Sequence, residues 1–341
     1  MPLKIAINGF GRIGRCVLRA IVERDVKDVE VVAINDLAPP ANLAHLLKYD
    51  SVHGRFNADV SVEGDTLVVN GHAIRLTAIR NPAELPWDDV DIAYECTGIF
   101  TSREKAAAHL ENGSRRVLIS APGANADRTV VYGVNHADLT AEDVIVSNAS
   151  CTTNCLAPVA KVLDDTFGIR TGYMTTIHAF TGDQPSHDAN HKDLYRARAA
   201  SVSIVPTSTG AARAISLVLP QLEGRLEGSA IRVPTENVSL VDLAFMPEKE
   251  ATAETVNAAL KAAAEGPLAG VLNYEDDPLV SVDFNHDPHS STLASAQTTV
   301  TKDGMVRVVS WYDNEWGFSC RMVDTGLEMG KHLNAAGAKV A

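Results

Sequence analysis

The stretch Leu3-Lys4-Ile5-Ala6-Ile7-Asn8-Gly9-Phe10-Gly11-Arg12-Ile13-Gly14 decides the fold of the first half of the chain. Residues 3–8 are a short apolar run of strand type, and 9–14 form a G-x-G-x-x-G loop. After the loop, Ile13, Val17, Leu18 and Ile21 recur at helical spacing. A second apolar run over 29–35 leads to Asp36, which lies about 20 residues beyond the loop, where a ribose-binding carboxylate belongs. Strand, glycine loop, helix, strand and acid in this order are the context a dinucleotide fingerprint requires. The glycines permit a tight turn and let the backbone approach a pyrophosphate at the positive end of the helix dipole. Asp36 would accept from both ribose hydroxyls and repel a 2′-phosphate, so the local pattern favours NAD over NADP.

Working outward, 92–95, 117–120 and 144–147 read as further strands, with helical and polar segments between them, notably 102–112. Strands alternating with helices imply a doubly wound parallel sheet. The second half changes style. Segments 174–180, 231–246 and 306–311 carry β-branched residues and fit a larger, mostly antiparallel sheet with helices packed on it. Thr252 is placed to cap a helix over 253–265 that stops at Gly266-Pro267, and 316–333 reads as the last helix. The expected fold class is therefore α/β. A Rossmann-type parallel sheet occupies 1–150, completed by 315–341, and an α+β catalytic domain occupies 151–314.

The chain has 341 residues, of which 45% are hydrophobic and 21% charged, which excludes a disordered or fibrous protein. Its net charge of −13 argues against a basic nucleic-acid binder. An anionic ligand must then be held by local cations or backbone dipoles. No apolar run approaches the roughly 18 residues that suggest a membrane span, and Met1-Pro2-Leu3-Lys4 leads straight into a strand, so no secretory leader is expected. Five cysteines are too few for a disulfide scaffold. A reducing cytoplasm is the expected compartment.

Among those cysteines one has a reactive context. Ser150-Cys151-Thr152-Thr153-Asn154-Cys155 follows the strand 144–147 and precedes a helical pattern of Leu156, Val159, Val162 and Leu163. Cys151 then sits at a helix N-terminus, a position that lowers a thiol pKa and favours a nucleophilic thiolate. Cys155 reads as a buried helix cysteine, and Cys16, Cys96 and Cys320 as packing residues. His178 closes a strand and precedes the polar run Thr181-Gly182-Asp183-Gln184, as expected of a site rim, and is the candidate partner of the thiol. His187, His191, His286 and His289 lie in polar loops without metal-ligand spacing, so no metal is expected.

These blocks together resemble phosphorylating glyceraldehyde-3-phosphate dehydrogenase. The resemblance is carried by the loop through Arg15, His45-Leu46-Leu47-Lys48-Tyr49-Asp50-Ser51, the cysteine block from Ser147, Arg232-Val233-Pro234-Thr235 and Trp311-Tyr312-Asp313-Asn314-Glu315-Trp316-Gly317. It implies Cys151 as nucleophile and His178 as its activator. It implies that the hemithioacetal oxyanion is held by His178 and the Cys151 N–H, that hydride passes to NAD, and that inorganic phosphate cleaves the resulting thioester. Arg232 and Arg196 match the cations of the family's two phosphate sites, Thr181 the substrate-phosphate site, and Ser150, Thr152, Thr209 and Gly210 the site of the attacking phosphate. Cofactor positions carry over to Gly9, Gly11, Arg12, Ile13, Gly14, Asp36, Arg80, Ser120 and Asn314, with Thr97, Gly98 and Phe100 lining the same cleft. A homotetramer is implied, with 185–205 crossing a subunit interface. The implied reaction is reversible, so the resemblance leaves glycolysis, gluconeogenesis and carbon fixation open as its setting.

Three departures stand out. Phe318 replaces a common tyrosine, Tyr195 a common arginine, and Ala189-Asn190 the Leu-Pro pair of strictly NAD-dependent members. The last keeps some use of NADP open against the Asp36 signal. Two rival functions are erythrose-4-phosphate dehydrogenase, which shares features of 284–290 and Phe318, and a non-catalytic dinucleotide-binding protein. Thr181-Gly182-Asp183-Gln184 and Ser208-Thr209-Gly210 favour the glyceraldehyde branch.

Overall fold

A computed structural model describes residues 1–333. The tail 334–341, which the sequence shows to be free of cysteine, lies outside the described residues. The chain divides into two compact units, Met1–Ala149 with the segment from Ser319 onward, and Ser150–Phe318.

Among the described residues the first unit carries a nine-stranded sheet. Its order is Arg128–Thr129, Ile145–Ser147, Arg116–Ile119, Ile92–Glu95, Leu3–Asn8, Val29–Asn35, His72–Thr77, Thr66–Val69 and Val60–Glu63. Every neighbouring pair from Arg128–Thr129 to His72–Thr77 is parallel. Ile92–Glu95 and Arg116–Ile119 are buried at every residue, as parallel strands covered on both faces must be. The helix Arg12–Glu23 follows the first strand and buries Val17, Leu18, Ala20 and Ile21. Strand order reverses at Leu3–Asn8, which has Val29–Asn35 on one side and Ile92–Glu95 on the other. Ligands of such sheets bind at the carboxyl ends of the strands flanking this switch point, here Asn8, Asn35 and Glu95.

The last two strands continue the sheet antiparallel. Their half-buried alternation is too short to mark them as strands in the sequence. The signal that finds them is Asn70-Gly71, with φ of +48° and +81°, the primed turn that suits a hairpin.

The second unit holds an eight-stranded sheet, with Val205–Ser208, Leu226–Val233, Ile169–Ala179, Ser239–Pro247, Val306–Tyr312, Ser291–Ala294 and Leu272–Glu275 in order and Thr299–Val300 beside Val306–Tyr312. Most pairs are antiparallel; Ile169–Ala179 with Leu226–Val233 and Leu272–Glu275 with Ser291–Ala294 are parallel. The helix Cys151–Phe167 buries Cys155, Leu156, Val159, Ala160 and Leu163. Thr252 caps Ala253–Ala264 in a capping box with Thr255.

Two expected elements are divided. The helix over 102–112 is two short helices, Arg103–Ala106 and Ala108–Glu111, because the Leu110 N–H turns to the Ala107 carbonyl three residues back. The strand over 231–246 is two strands. Pro234 lacks a ladder donor, and Val238 takes a φ of +68°, so the chain turns between them.

Candidate active site and dinucleotide cradle

In the first unit the glycine loop is fixed by close contact. Gly9 has φ +91°, and a Cβ there would lie 2.7 Å from the Thr97 nitrogen. A Cβ on Gly14 would lie 2.2 Å from the Gly9 oxygen. A Cβ on Gly11, by contrast, would meet nothing within 4 Å, so the loop leaves space above it. Gly11 is also the N-cap of Arg12–Glu23; no side chain caps that helix and no acid occupies its first turn. A helix start of this kind suits an anion. The Asp36 carboxylate accepts from the Phe10 N–H at 2.8 Å and from the Ala38 N–H at 2.9 Å, which ties it to the loop. These residues fit a dinucleotide.

The remaining cofactor candidates lie as follows. Arg12 pairs with Asp50, so its charge is largely spent inside the protein. Burial alone would raise the Asp50 carboxyl, but hydrogen bonds from Arg12 and the His53 and Val52 N–H groups hold it well below the usual carboxylate range. Ile13 is half-buried in the first helical turn, and Arg80 is exposed just beyond His72–Thr77. Thr97 and Gly98 follow Ile92–Glu95, Phe100 is half-buried nearby in sequence, and the Ser120 N–H bonds the Glu95 carbonyl at 3.0 Å. Asn314 lies in the second unit and is buried; its Oδ1 accepts from the Ser239 hydroxyl at 2.8 Å.

The reactive pair is assembled within the second unit. Cys151 opens the helix Cys151–Phe167, and His178 stands near the end of the strand Ile169–Ala179. Cys151 Sγ lies 3.5 Å from His178 Nε2. His178 Nδ1 is 2.7 Å from the Ala179 carbonyl, which can only accept, so Nδ1 carries the hydrogen and Nε2 faces the sulfur as an acceptor. Strand register brings the third member. His178 is paired with Arg232 across the parallel ladder, and Arg232 Nη1 donates to the Ala179 carbonyl at 3.1 Å and to Thr181 Oγ1 at 3.4 Å.

The electrostatics follow from this burial. Burial, reinforced by the Arg232 cation, pushes the His178 imidazolium down to about 3, against the pull of the Ala179 carbonyl. Burial also pushes the Cys151 thiol up, with Arg232 and the Thr152 N–H pulling it back. A helix N-terminus alone is expected to lower this thiol; desolvation outweighs it here. Both shifts favour the uncharged forms, a thiol beside a neutral imidazole. Ala149, two residues before the sulfur, has φ +57°, an uncommon conformation for a residue with a Cβ and one that re-aims the chain into the helix.

The anion-binding candidates divide. Arg196 donates to Asp183 Oδ2 at 2.8 Å, to Thr207 Oγ1 at 3.1 Å and to the Ser208 carbonyl at 3.4 Å, while Arg232 is held by the Ala179 carbonyl and Thr181, with its Nη1 3.1 Å from His178 Nδ1. Thr209 accepts from the Ala211 N–H at 3.1 Å, and Gly210 is the N-cap of the short helix Ala211–Ala214. Ser150 caps the cysteine helix through the Thr153 N–H at 3.0 Å. The Thr152 hydroxyl turns inward to Tyr312 at 2.9 Å, and Thr176 meets the same phenol oxygen at 2.9 Å. Asp183 lies in the polar run that the sequence marks as a site rim, and it holds Arg196. Nothing in the local sequence marks Tyr312 or Ser239 as partners of the site; register and burial bring Tyr312 to Thr152 and Thr176, and Ser239 to Ala179 and Asn314.

Two family models match the chain: "Glyceraldehyde 3-phosphate dehydrogenase, NAD binding domain" over residues 3–103, and "Glyceraldehyde 3-phosphate dehydrogenase, C-terminal domain" over 150–314. A glyceraldehyde-3-phosphate dehydrogenase of Cereibacter sphaeroides is 65% identical over 333 residues, covering 98% of this chain and 100% of the relative. One of Xanthobacter flavus is 63% identical, covering 97% and 99%. Glyceraldehyde-3-phosphate dehydrogenase 1 of Bacillus subtilis (strain 168) is 57% identical, covering 97% and 99%.

Proposed function

The chain belongs to the glyceraldehyde 3-phosphate dehydrogenase family, and from that premise we propose how its residues carry the reaction. It is an NAD-dependent phosphorylating dehydrogenase whose substrate is glyceraldehyde 3-phosphate. The dinucleotide-binding role falls to 1–150 with 315–341, and the catalytic role to 151–314. The observation that carries the mechanism is the 3.5 Å approach of Cys151 Sγ to an accepting His178 Nε2.

As the sulfur adds to the aldehyde carbon, its proton passes to Nε2. The new Nε2–H, with the Cys151 N–H at the helix start, then donates to the hemithioacetal oxyanion. A neutral imidazole is suited to this, because it is already in the form that takes a proton. Collapse of the oxyanion expels hydride from the same carbon and leaves a thioester on Cys151. NAD, when bound, supplies the hydride acceptor; the Gly9–Gly14 loop, Asp36, Thr97, Gly98, Phe100, Ser120 and Arg80 would hold it, and Asn314 would orient its carboxamide.

Inorganic phosphate then attacks the thioester carbon, the sulfur leaves, and the product is 1,3-bisphosphoglycerate. Arg232 and Arg196 supply the cations of the two phosphate sites, with Thr181 on the substrate phosphate and Ser150, Thr152, Thr209 and Gly210 on the attacking one. Arginine suits both because its rigid fork matches phosphate oxygens. In this reading the Thr152 hydroxyl must leave Tyr312, or Thr152 contributes its backbone alone.

Initial rates settle the reaction. With glyceraldehyde 3-phosphate, NAD and phosphate, turnover is expected to exceed that without phosphate by at least about tenfold, since thioester cleavage then waits on water. NAD is expected to outperform NADP. A phosphate-independent preference for erythrose 4-phosphate would overturn the assignment.

The assembly is a homotetramer in this reading. Supporting it, Leu194, Val202 and Ile204, in the 185–205 segment, are 82%, 78% and 71% exposed, more apolar surface than a monomer's loop ordinarily shows to water. Light scattering is expected to return four times the chain mass; a monomeric mass would remove the assembly. Among the described residues no helix is long and apolar enough to cross a membrane, and a cytoplasmic setting, where Cys151 stays reduced, suits the chemistry.

A further inference from the structure

We propose that Glu95, buried under the crevice of the first unit, is a positioning residue for NAD, clamping the glycine loop to the Thr97 loop. The inference rests on the NAD-dependent reading above. Glu95 is 1% exposed and His109 beside it 0%. Glu95 Oε2 accepts from Asn8 Nδ2 at 2.6 Å and from His109 Nε2 at 2.8 Å. Oε1 accepts from the Thr97 N–H at 2.8 Å and from the Thr97 hydroxyl. Each oxygen thus receives two donors, which is what a buried carboxylate needs. His109 Nδ1 is buried without a partner and its ring stacks on Trp87 at 5.5 Å, so the imidazole's one committed polar contact is to Glu95.

What this carboxylate joins gives it a role. Asn8 directly precedes Gly9, and Thr97 is the residue against which Gly9 packs with no room for a Cβ. Asn8 Oδ1 in turn accepts from Asn35 Nδ2 at 2.8 Å, and Asn35 directly precedes Asp36. Asn35 Oδ1 accepts from Thr77 Oγ1 and the Ile79 N–H, both at 2.9 Å. One connected network therefore ties the carboxyl ends of Leu3–Asn8, Val29–Asn35 and Ile92–Glu95. It touches the residues just before each segment that would meet the dinucleotide. Holding those segments at fixed spacing removes ordering that the cofactor would otherwise have to impose.

Glu95→Gln tests this, because an amide NH2 must face donors in either orientation. The Kd for NAD and the KM for NAD are expected to rise at least about tenfold, while kcat falls less than about threefold and the KM for the aldehyde is steady. His109→Phe keeps the stacking on Trp87 but loses the donor, and is expected to weaken NAD similarly. His109→Gln keeps an N–H donor and is expected to restore binding. A folded Glu95→Gln protein with a lowered Tm and a Kd for NAD within twofold of the parent would overturn the inference. Should Glu95→Gln fail to fold, equal NAD affinity in His109→Phe and His109→Gln would overturn it instead. Failure of the parent protein itself to bind NAD would sink the NAD-dependent reading and this inference with it.

Discussion

Cys151→Ser is expected to lower kcat for aldehyde oxidation by about 10⁴-fold or more, the scale on which loss of a covalent nucleophile acts. The substitution changes one atom and keeps the helix start intact. A serine hydroxyl is a far weaker acid than a thiol and gives its proton to an imidazole far less readily. The oxidised intermediate also changes character, because an oxygen ester yields to phosphate far less readily than a thioester. Cys155 does not substitute for the lost sulfur. It is fully buried, lies 3.4 Å from Ser291 Oγ, and burial pushes its thiol up to about 12. The measurement is single-turnover formation of NADH, with NAD affinity compared alongside to show that the variant is folded. Oxidation within tenfold of the parent rate would remove Cys151 from the mechanism.

His178→Gln is expected to lower kcat by about 10²–10⁴-fold, the contribution of a positioned acid–base group. Its signature is in the pH dependence of Cys151 alkylation by iodoacetamide in the free enzyme. The thiol is raised by burial, so the parent rate climbs as pH rises past the ordinary thiol range. His178 is lowered to about 3 and stays neutral down to that pH, so protonation of the imidazole adds no inflection near pH 6–7. Removing the accepting Nε2 is expected to slow alkylation at neutral pH and displace the profile upward. An inflection near pH 6.5 in the parent protein that vanishes in the variant would show instead that His178 titrates at its ordinary value.

The sequence alone determined the features that depend on neighbours along the chain. The glycine loop with Asp36, the alternation of strands and helices before residue 150, and the cysteine at a helix start are all local in period or spacing, and the structure keeps them. The capping of Ala253–Ala264 by Thr252 is local in the same way. The division of 231–246 at Pro234 and Val238 was also local, but a β-branched run masked it.

Tertiary structure decided whatever depends on pairing and burial. Arg232 stands beside His178 only because two parallel strands meet in that register, across a separation of 54 residues. Glu95 reads in the sequence as one more residue of an apolar strand. Its four donors come from Asn8, Thr97 and His109, which only sheet order and packing bring together. The protonation state of the reactive pair was likewise out of reach of the sequence. A helix start predicts a lowered thiol, whereas desolvation, a property of the surroundings in space, raises it. Spacing fixes which groups are available; the folded environment fixes which of them hold protons and what they touch.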